Sequence, residues 1–326
     1  MEYFIIAIIL LALELLYFKI ASHYNIIDKP NHRSSHTKIT LRGGGVIFPF
    51  AFVLYFVVSI IHRKEWFVPE QFWSFGLGLF LLSAISFLDD ILDLSTKLRL
   101  VFHFLSVVLL IYFLGLWNVL PFWLLPIAFI FIIGVLNAYN FMDGINGITG
   151  FYSLVILITL YYINQYKISF ADIHFIVYPI FACLVFLFFN FRKIARCFAG
   201  DVGSMSIAFW VLALLGALVV KTKDFTYFLF LGVYGIEVVS TIIQRIKMKE
   251  NILEAHRHHL YQLLVNKMNW QHLSVAALYG AIQLAINFSI IHWELNFWQG
   301  LLYLILPFFI IYITSKYYIF KKTGNF

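Results

Sequence analysis

Two adjacent carboxylates, Asp89 and Asp90, follow directly on the apolar run Phe80 to Leu88, and Asp93 stands three residues further on. Like charges side by side at membrane depth are costly unless a cation or a proton offsets them. Mg²⁺ shared with phosphate oxygens is the usual partner of so sparse a carboxylate set. Lys97 and Arg99 come next and could meet phosphate from the other side. The plainer alternative is a solvated helix end with a local Asp93–Lys97 pair. A second chemistry-bearing stretch is Asn137-Ala-Tyr-Asn-Phe-Met-Asp-Gly-Ile-Asn-Gly147, a polar loop that holds no Lys or Arg. Its glycines allow close backbone approach to a bound group. Asn137, Asn140 and Asn146 offer donors and acceptors, and Asp143 an acceptor-only carboxylate. That inventory predicts a ligand site, against the simpler reading of a Gly/Asn chain reversal.

A third carboxylate, Asp201, lies between Gly200 and Gly203 at the mouth of a later apolar run, downstream of Arg192, Lys193 and Arg196. An Asp so placed is either a helix N-cap or part of an anion and cation site. The fourth feature is His256-Arg-His-His-Leu260. Three histidines and an arginine, with no Cys or second carboxylate at ligand spacing, suit a diphosphate or a metal-bound phosphate better than zinc. The bland reading is a surface His tract. Leu260, Leu263, Leu264 and Met268 then recur at helical spacing and predict a short helix lying against the membrane.

The elements that must position these groups are read from composition. The 326 residues are 62% hydrophobic and only 12% charged, which excludes an ordinary soluble domain and predicts an all-α polytopic membrane protein. Eleven apolar runs are long enough to cross a bilayer, near 3–20, 45–61, 72–88, 99–114, 121–137, 148–163, 173–189, 204–220, 225–243, 273–291 and 298–315. The first has no basic n-region and no small-residue cleavage site, so it is expected to persist in the mature protein. Connections on one side carry eighteen Lys and Arg, whereas the other side has only Arg63, Lys64, Lys167, Lys221 and Lys223. By the positive-inside rule the first side is cytoplasmic, with the N-terminus outside and the C-terminus inside. All four chemistry-bearing stretches then face the cytoplasm from one catalytic domain spanning 1–326. The net charge of +7 is topological on this reading, and no nucleic-acid partner is expected. Cys183 and Cys197 form neither a disulfide framework nor a metal pattern.

Arg33-Ser-Ser-His36 with Arg42-Gly-Gly-Gly45, Asp89-Asp90-Ile-Leu-Asp93, Asn137 to Gly147, Gly200-Asp-Val-Gly-Ser204 and the His256 cluster resemble, in order and spacing, the polyprenyl-phosphate N-acetylhexosamine-1-phosphate transferases. The Arg-Ser-Ser-His and His-Arg-His-His-Leu-Tyr-Gln forms look like the bacterial branch that starts O-antigen and related surface polysaccharides. They look less like the branch that transfers a pentapeptide-linked muramyl unit. The resemblance implies transfer of a sugar-1-phosphate from a UDP-sugar, such as UDP-GlcNAc, to a polyprenyl phosphate in the bacterial inner membrane, with release of UMP. It implies Mg²⁺, with Mn²⁺ as a substitute, and leaves a homodimer open.

By motif match, Asp89 and Asp90 look like the catalytic pair and Asp201 the Mg²⁺ ligand. The substrate-binding set implied is Arg42, Asp93, Lys97, Asn140, Asp143, Asn190, Phe198, His256, His258 and His259. The chain departs from the family pattern at Ile39 and Leu41, which replace prolines before the triple glycine, and at Asn146, where some branches have Asp. Two other classes compete. An intramembrane prenyltransferase would need a second cluster of several Asp residues where Asn137 to Gly147 offers only Asp143. A transporter would keep ionisable groups near the midplane, whereas only Glu14 and Glu237 lie inside the predicted spans, the latter on one helical face with Thr241 and Arg245.

Overall fold

The computed structural model describes residues 2–29, 38–61, 72–92, 94–251 and 257–323. Its helices in chain order are α1 (Glu2–His23), α2 (Ile47–Ile61), α3 (Phe72–Leu92), α4 (Thr96–Phe113), the short α5 (Leu116–Val119), α6 (Leu125–Met142), α7 (Ile148–Tyr166), α8 (Ile173–Asn190), α9 (Gly200–Thr222), α10 (Gly232–Lys247), α11 (Leu260–Asn266), α12 (His272–His292), α13 (Phe297–Gly300) and α14 (Leu306–Thr323). Among the described residues eleven helical stretches are long and apolar enough to span a membrane, and each overlaps one of the eleven predicted runs. Helices are the expected solution because hydrocarbon offers no partner for an open backbone. Among the described residues the one sheet is a two-stranded antiparallel ladder, β1 (Ile27–Asp28) with β2 (Thr40–Leu41).

The helices are arranged around α9. Of its apolar window 94% is enclosed by protein, against 11% for the last span, Phe297–Lys322. Helices α2, α3, α6, α7 and α8 all pack on it. Phe52, Phe75, Phe175 and Trp210 meet edge to face at its middle, and the Trp210 indole N–H donates to the Phe175 carbonyl at 3.0 Å. Aromatic pairs in these geometries add about 0.5–1.5 kcal/mol each beyond the area they bury, and small residues permit closer contacts still. Gly45 and Gly203 approach so tightly that a Cβ on either would strike the backbone of the other, a small-residue contact of the kind that joins membrane helices.

Two expectations on helix ends and one on helix packing need correction. Asp89 and Asp90 do not follow α3 but sit on its last turn, because the helix runs to Leu92. Asn137 and Asn140 belong to the last turns of α6 rather than to a loop, which shrinks to residues 143–147. The Asn137 amide donates to the Ile133 carbonyl at 2.9 Å, so the polar side chain is tolerated inside the helix. Helix α11 forms as predicted, but Leu260, Leu263 and Leu264 are buried against protein, with α12 and α14 as neighbours, and not against lipid.

Candidate functional site

The triple-glycine turn is seated on the segment that precedes α9 by three backbone hydrogen bonds. Phe198 N–H donates to the Leu41 carbonyl at 2.8 Å, Gly44 N–H to Phe198 at 2.8 Å and Gly45 N–H to Ala199 at 3.0 Å. The Tyr17 hydroxyl donates to the Arg42 carbonyl at 2.5 Å. This strapping carries Arg42 across to Asp90, where Nη2 lies 2.7 Å from Oδ1. The Asp90 side chain is wholly enclosed, while the Arg42 side chain keeps 37% exposure and can still meet a ligand.

Asp90 also takes the capping role that was one of the alternatives for Asp201. Gly200 takes the left-handed conformation, φ +70°, and Asp201 falls in the first turn of α9 with no side-chain cap of its own. The cap comes from a distant helix: Asp90 Oδ1 accepts from Asp201 N–H at 3.2 Å and Oδ2 from Val202 N–H at 3.4 Å. A carboxylate at an amino-terminal helix end is favourably placed against the helix dipole. Asp201 is therefore not the cap, and its carboxylate carries no ion pair among the described residues.

Asp89 is engaged differently. It accepts from Leu94 N–H at 2.9 Å and pairs with Arg99 at 2.5 Å, closing the turn between α3 and α4. Lys97 is exposed on the first turn of α4 and takes no part in this network among the described residues; Arg99 is the cation that does. Asp93 lies outside the described residues.

One turn along α9 from Asp201, Asn140 donates to Ser204 Oγ at 3.4 Å, and its amide also borders the Asp201 carboxylate. Asp143 follows at the end of α6, lacks an ion pair among the described residues, and is walled in by protein while keeping slight solvent contact. Burial pushes its carboxyl up to about 7, with Thr149 and Arg42 opposing the shift and Asp201 adding to it. Arg42 and Asp201 are thus each within electrostatic reach of both Asp90 and Asp143. The Asn190 amide has both ends occupied by backbone: Oδ1 accepts from Gly147 N–H at 2.6 Å and Nδ2 donates to the Cys197 carbonyl at 2.8 Å. It braces the loop of α6–α7 against the approach to α9. Gly147 at φ +85° is required there, since a Cβ would also collide with Phe191.

The histidine loop lies beside this group. His258 Nε2 sits 3.2 Å from Glu250 Oε1, and Arg245 at 3.0 Å, with His258, holds the Glu250 carboxyl below its ordinary range. His259 is buried next to Glu237, and its ring stacks on Tyr261. The Tyr261 hydroxyl donates to the Phe141 carbonyl at 2.8 Å and its ring fills the space over Gly144, which ties the loop to the Asn137–Gly147 stretch. His256 lies outside the described residues, as does the Arg33–His36 motif. Residues not singled out from sequence, Tyr17, Ser204, Tyr261 and His272, do much of the positioning; His272 Nδ1 accepts from Asn146 N–H at 3.3 Å. Ser204 and Tyr261 lie inside quoted motifs without a role of their own there, and the sequence signal of Tyr17 and His272 is only polarity in or beside an apolar run.

The arrangement offers one clamped carboxylate, a half-exposed guanidinium, and two further carboxylates outside any ion pair among the described residues. No group of three or more His, Cys, Asp or Glu forms a ready-made metal cage among the described residues. Mg²⁺ does not need one, because it is commonly held by one or two carboxylates together with substrate phosphates and water. Asp201 fits that donor set.

Residues 72–220 match the glycosyl transferase family 4 model. This stretch contains Asp89, Asp90, Asn140, Asp143, Asn190 and Asp201, whereas Arg42 and the histidine loop lie outside it. The chain is 28% identical over 283 residues, 80% of its length and 75% of the relative's, to the "Probable undecaprenyl-phosphate N-acetylglucosaminyl 1-phosphate transferase" of Bacillus subtilis. It is 24% identical over 300 residues, 88% and 87% of the two chains, to an undecaprenyl-phosphate alpha-N-acetylglucosaminyl 1-phosphate transferase of Thermotoga maritima. A phospho-N-acetylmuramoyl-pentapeptide-transferase of Petrotoga mobilis is 27% identical over 251 residues, 68% and 74%.

Proposed function

We propose that this chain, which belongs to the polyprenyl-phosphate N-acetylhexosamine-1-phosphate transferase family, transfers a sugar-1-phosphate from a UDP-sugar to polyprenyl phosphate and releases UMP. The observation that carries the reading is the meeting of Arg42, Asp90 and Asp201 at the amino-terminal end of the central helix. Phosphoryl transfer asks mainly for positioning and charge neutralisation, and the Arg42 guanidinium, which keeps 37% exposure beside Asp90, can meet a phosphate oxygen. In the reaction, an oxygen of the lipid phosphate forms a bond to the sugar-linked phosphorus of the donor. The bond from that phosphorus to the bridging oxygen breaks, and UMP leaves with the electron pair. Asp90, held in place by Arg42, works in its ionised form, whether as base toward the lipid phosphate or as nucleophile toward the donor. Asp201 would hold Mg²⁺, which when bound offsets the diphosphate charge. Asp143 and Asn140 serve the nucleotide, and His258 the sugar and diphosphate. The deciding assay is release of UMP when membranes containing the chain are given a panel of UDP-sugars. A chain that releases none, with acceptor present, is not this enzyme.

The pKa of Asp143 yields a pH prediction. A carboxyl raised to about 7 is protonated below that pH and ionised above it, so any contact needing the anion fails on acidification through that range. The rate at limiting donor is expected to fall below pH 7 and to lose this step in Asp143→Asn. An unchanged pH profile in that variant would remove Asp143 from donor binding.

We also place the chain in a bacterial inner membrane with the site cytoplasmic, on the strength of the basic asymmetry. Single cysteines at Asn31, Lys193 and Arg257 should react with an impermeant thiol reagent only after the cytoplasmic face is opened. Labelling of any one of them from outside would break the shared-site reading.

A further inference from the structure

We propose that Glu237 and Lys316, a buried carboxylate and ammonium contributed by α10 and α14, are positioning residues that hold the histidine loop in its working place. The inference rests on the function proposed above for what that loop binds, and on geometry alone for the loop being held. Both side chains are enclosed within membrane-spanning helices, at 0% and 4% exposure. Ionisable groups at such depth are paired or functional. Helix α11 begins at Leu260 without a side-chain cap from its own N-cap residue, His259. Glu237 supplies that cap from a separate helix: Oε1 accepts from Tyr261 N–H at 3.3 Å and stands 3.7 Å from His259 Nδ1. Its second oxygen, Oε2, is buried, and the hydroxyls of Tyr279 and Tyr312 stand beside the carboxyl.

Lys316 reaches the same group through Tyr312, whose hydroxyl it meets and which borders Glu237, and it lies within electrostatic reach of the carboxyl. Its Nζ donates to Thr241 Oγ1 at 2.9 Å and Tyr312 OH at 3.2 Å, and lies 5.5 Å from the centre of the Tyr312 ring. Thr241 is one turn along α10 from Glu237, so α14 is pinned to the same helical face. Tyr261 passes the restraint on through its hydrogen bond to the Phe141 carbonyl. The pattern repeats what Asp90 does for α9, a carboxylate from one helix capping the helix that follows a ligand loop. On this reading the last helix is part of the donor site's scaffold as well as an anchor.

The test uses the full chain in lipid nanodiscs and the variants Glu237→Gln, Lys316→Met and the double variant. Glutamine keeps an acceptor for Tyr261 but removes the charge, and either single change strands the opposite charge, whereas the double change strands none. Hydrogen exchange of the Leu260 and Tyr261 amides should quicken about tenfold or more in each single variant and return toward wild type in the double, a coupling expected of contacting groups. Donor KM should rise in step, about tenfold, with acceptor KM and kcat within about twofold. Asn287→Leu, in the separate buried cluster with Gln283 and Thr159, should leave both readouts unmoved. Unchanged exchange in both single variants, or a double variant as fast as their product, overturns the proposal. Changed exchange with an unmoved donor KM overturns its link to the donor site. If the wild type releases no UMP from any UDP-sugar, the functional reading fails by itself, and the exchange data still decide whether Glu237 and Lys316 hold the loop.

Discussion

Asp201→Asn should lose about a hundredfold or more in turnover, ~2.7 kcal/mol of transition-state stabilisation, while melting within a few degrees of the wild type in the absence of metal. The two halves of that expectation come from different parts of the structure. Stability should survive because Asp201 caps nothing: the N–H groups at the start of α9 are satisfied by Asp90, and only the Asp201 backbone takes part. Activity should not survive, because an amide is a poor replacement for a charged ligand to a hard cation. Partial recovery at high Mg²⁺, or with Mn²⁺, which accepts nitrogen and neutral oxygen more readily, would identify the loss as one of metal affinity. The measurement is UMP release across a Mg²⁺ titration, paired with thermal unfolding without metal. An unchanged rate and metal dependence would take Asp201 out of the site and leave the cation to the other carboxylates and the substrate phosphates.

The part of this site that was legible in the sequence is the part encoded locally. Asp89, Asp90, Asp143 and Asp201 stood out because charge inside or beside an apolar run is expensive, and so needs a reason wherever it occurs. The eleven spans were legible for the same cause, since the bilayer imposes a length on every apolar run. What could not be read is who satisfies whom. Asp90 and Val202 are 112 residues apart, and nothing in the local spacing around Gly200 distinguishes a helix that caps itself from one capped by a stranger. The helix ends were misjudged by a turn at Asn137 and Gly200 because polar residues look like loop until a partner inside the fold, such as the Ile133 carbonyl for Asn137, makes them tolerable in a helix. Tyr17 and Lys316 carry no pattern as single polar residues in an apolar or tail segment, and Tyr261 stands in its motif without a readable role, although each is fixed by a specific long-range contact.

Asp90→Asn should reduce turnover by about a thousandfold or more, ~4 kcal/mol, and here a structural explanation has to be separated from a chemical one. Asp90 has two engagements, the α9 cap and the pair with Arg42. Asparagine retains an acceptor oxygen of the same reach and is among the best capping side chains, so the variant should still insert and keep most of the cap. What it loses is charge: Arg42 no longer has its carboxylate at 2.7 Å, and the reacting centre no longer has an anion to serve as base or nucleophile. Asp90→Ala removes both engagements and should lower the melting temperature as well, since a lost cap costs about 0.5–2 kcal/mol. If the role of Asp90 were only to hold α9, activity would follow stability, and the asparagine variant would be nearly normal while the alanine variant was not. If Asp90 serves the reaction, both variants are equally inactive and differ only in how they melt. Asp89→Asn gives the comparison on the adjacent position, where the carboxylate closes the α3–α4 turn with Leu94 and Arg99. It too should be slowed by orders of magnitude if the motif acts as a catalytic pair. A near-normal rate there, with Asp90→Asn inactive, would reduce the pair to Asp90 alone and leave Asp89 as the residue that orients it.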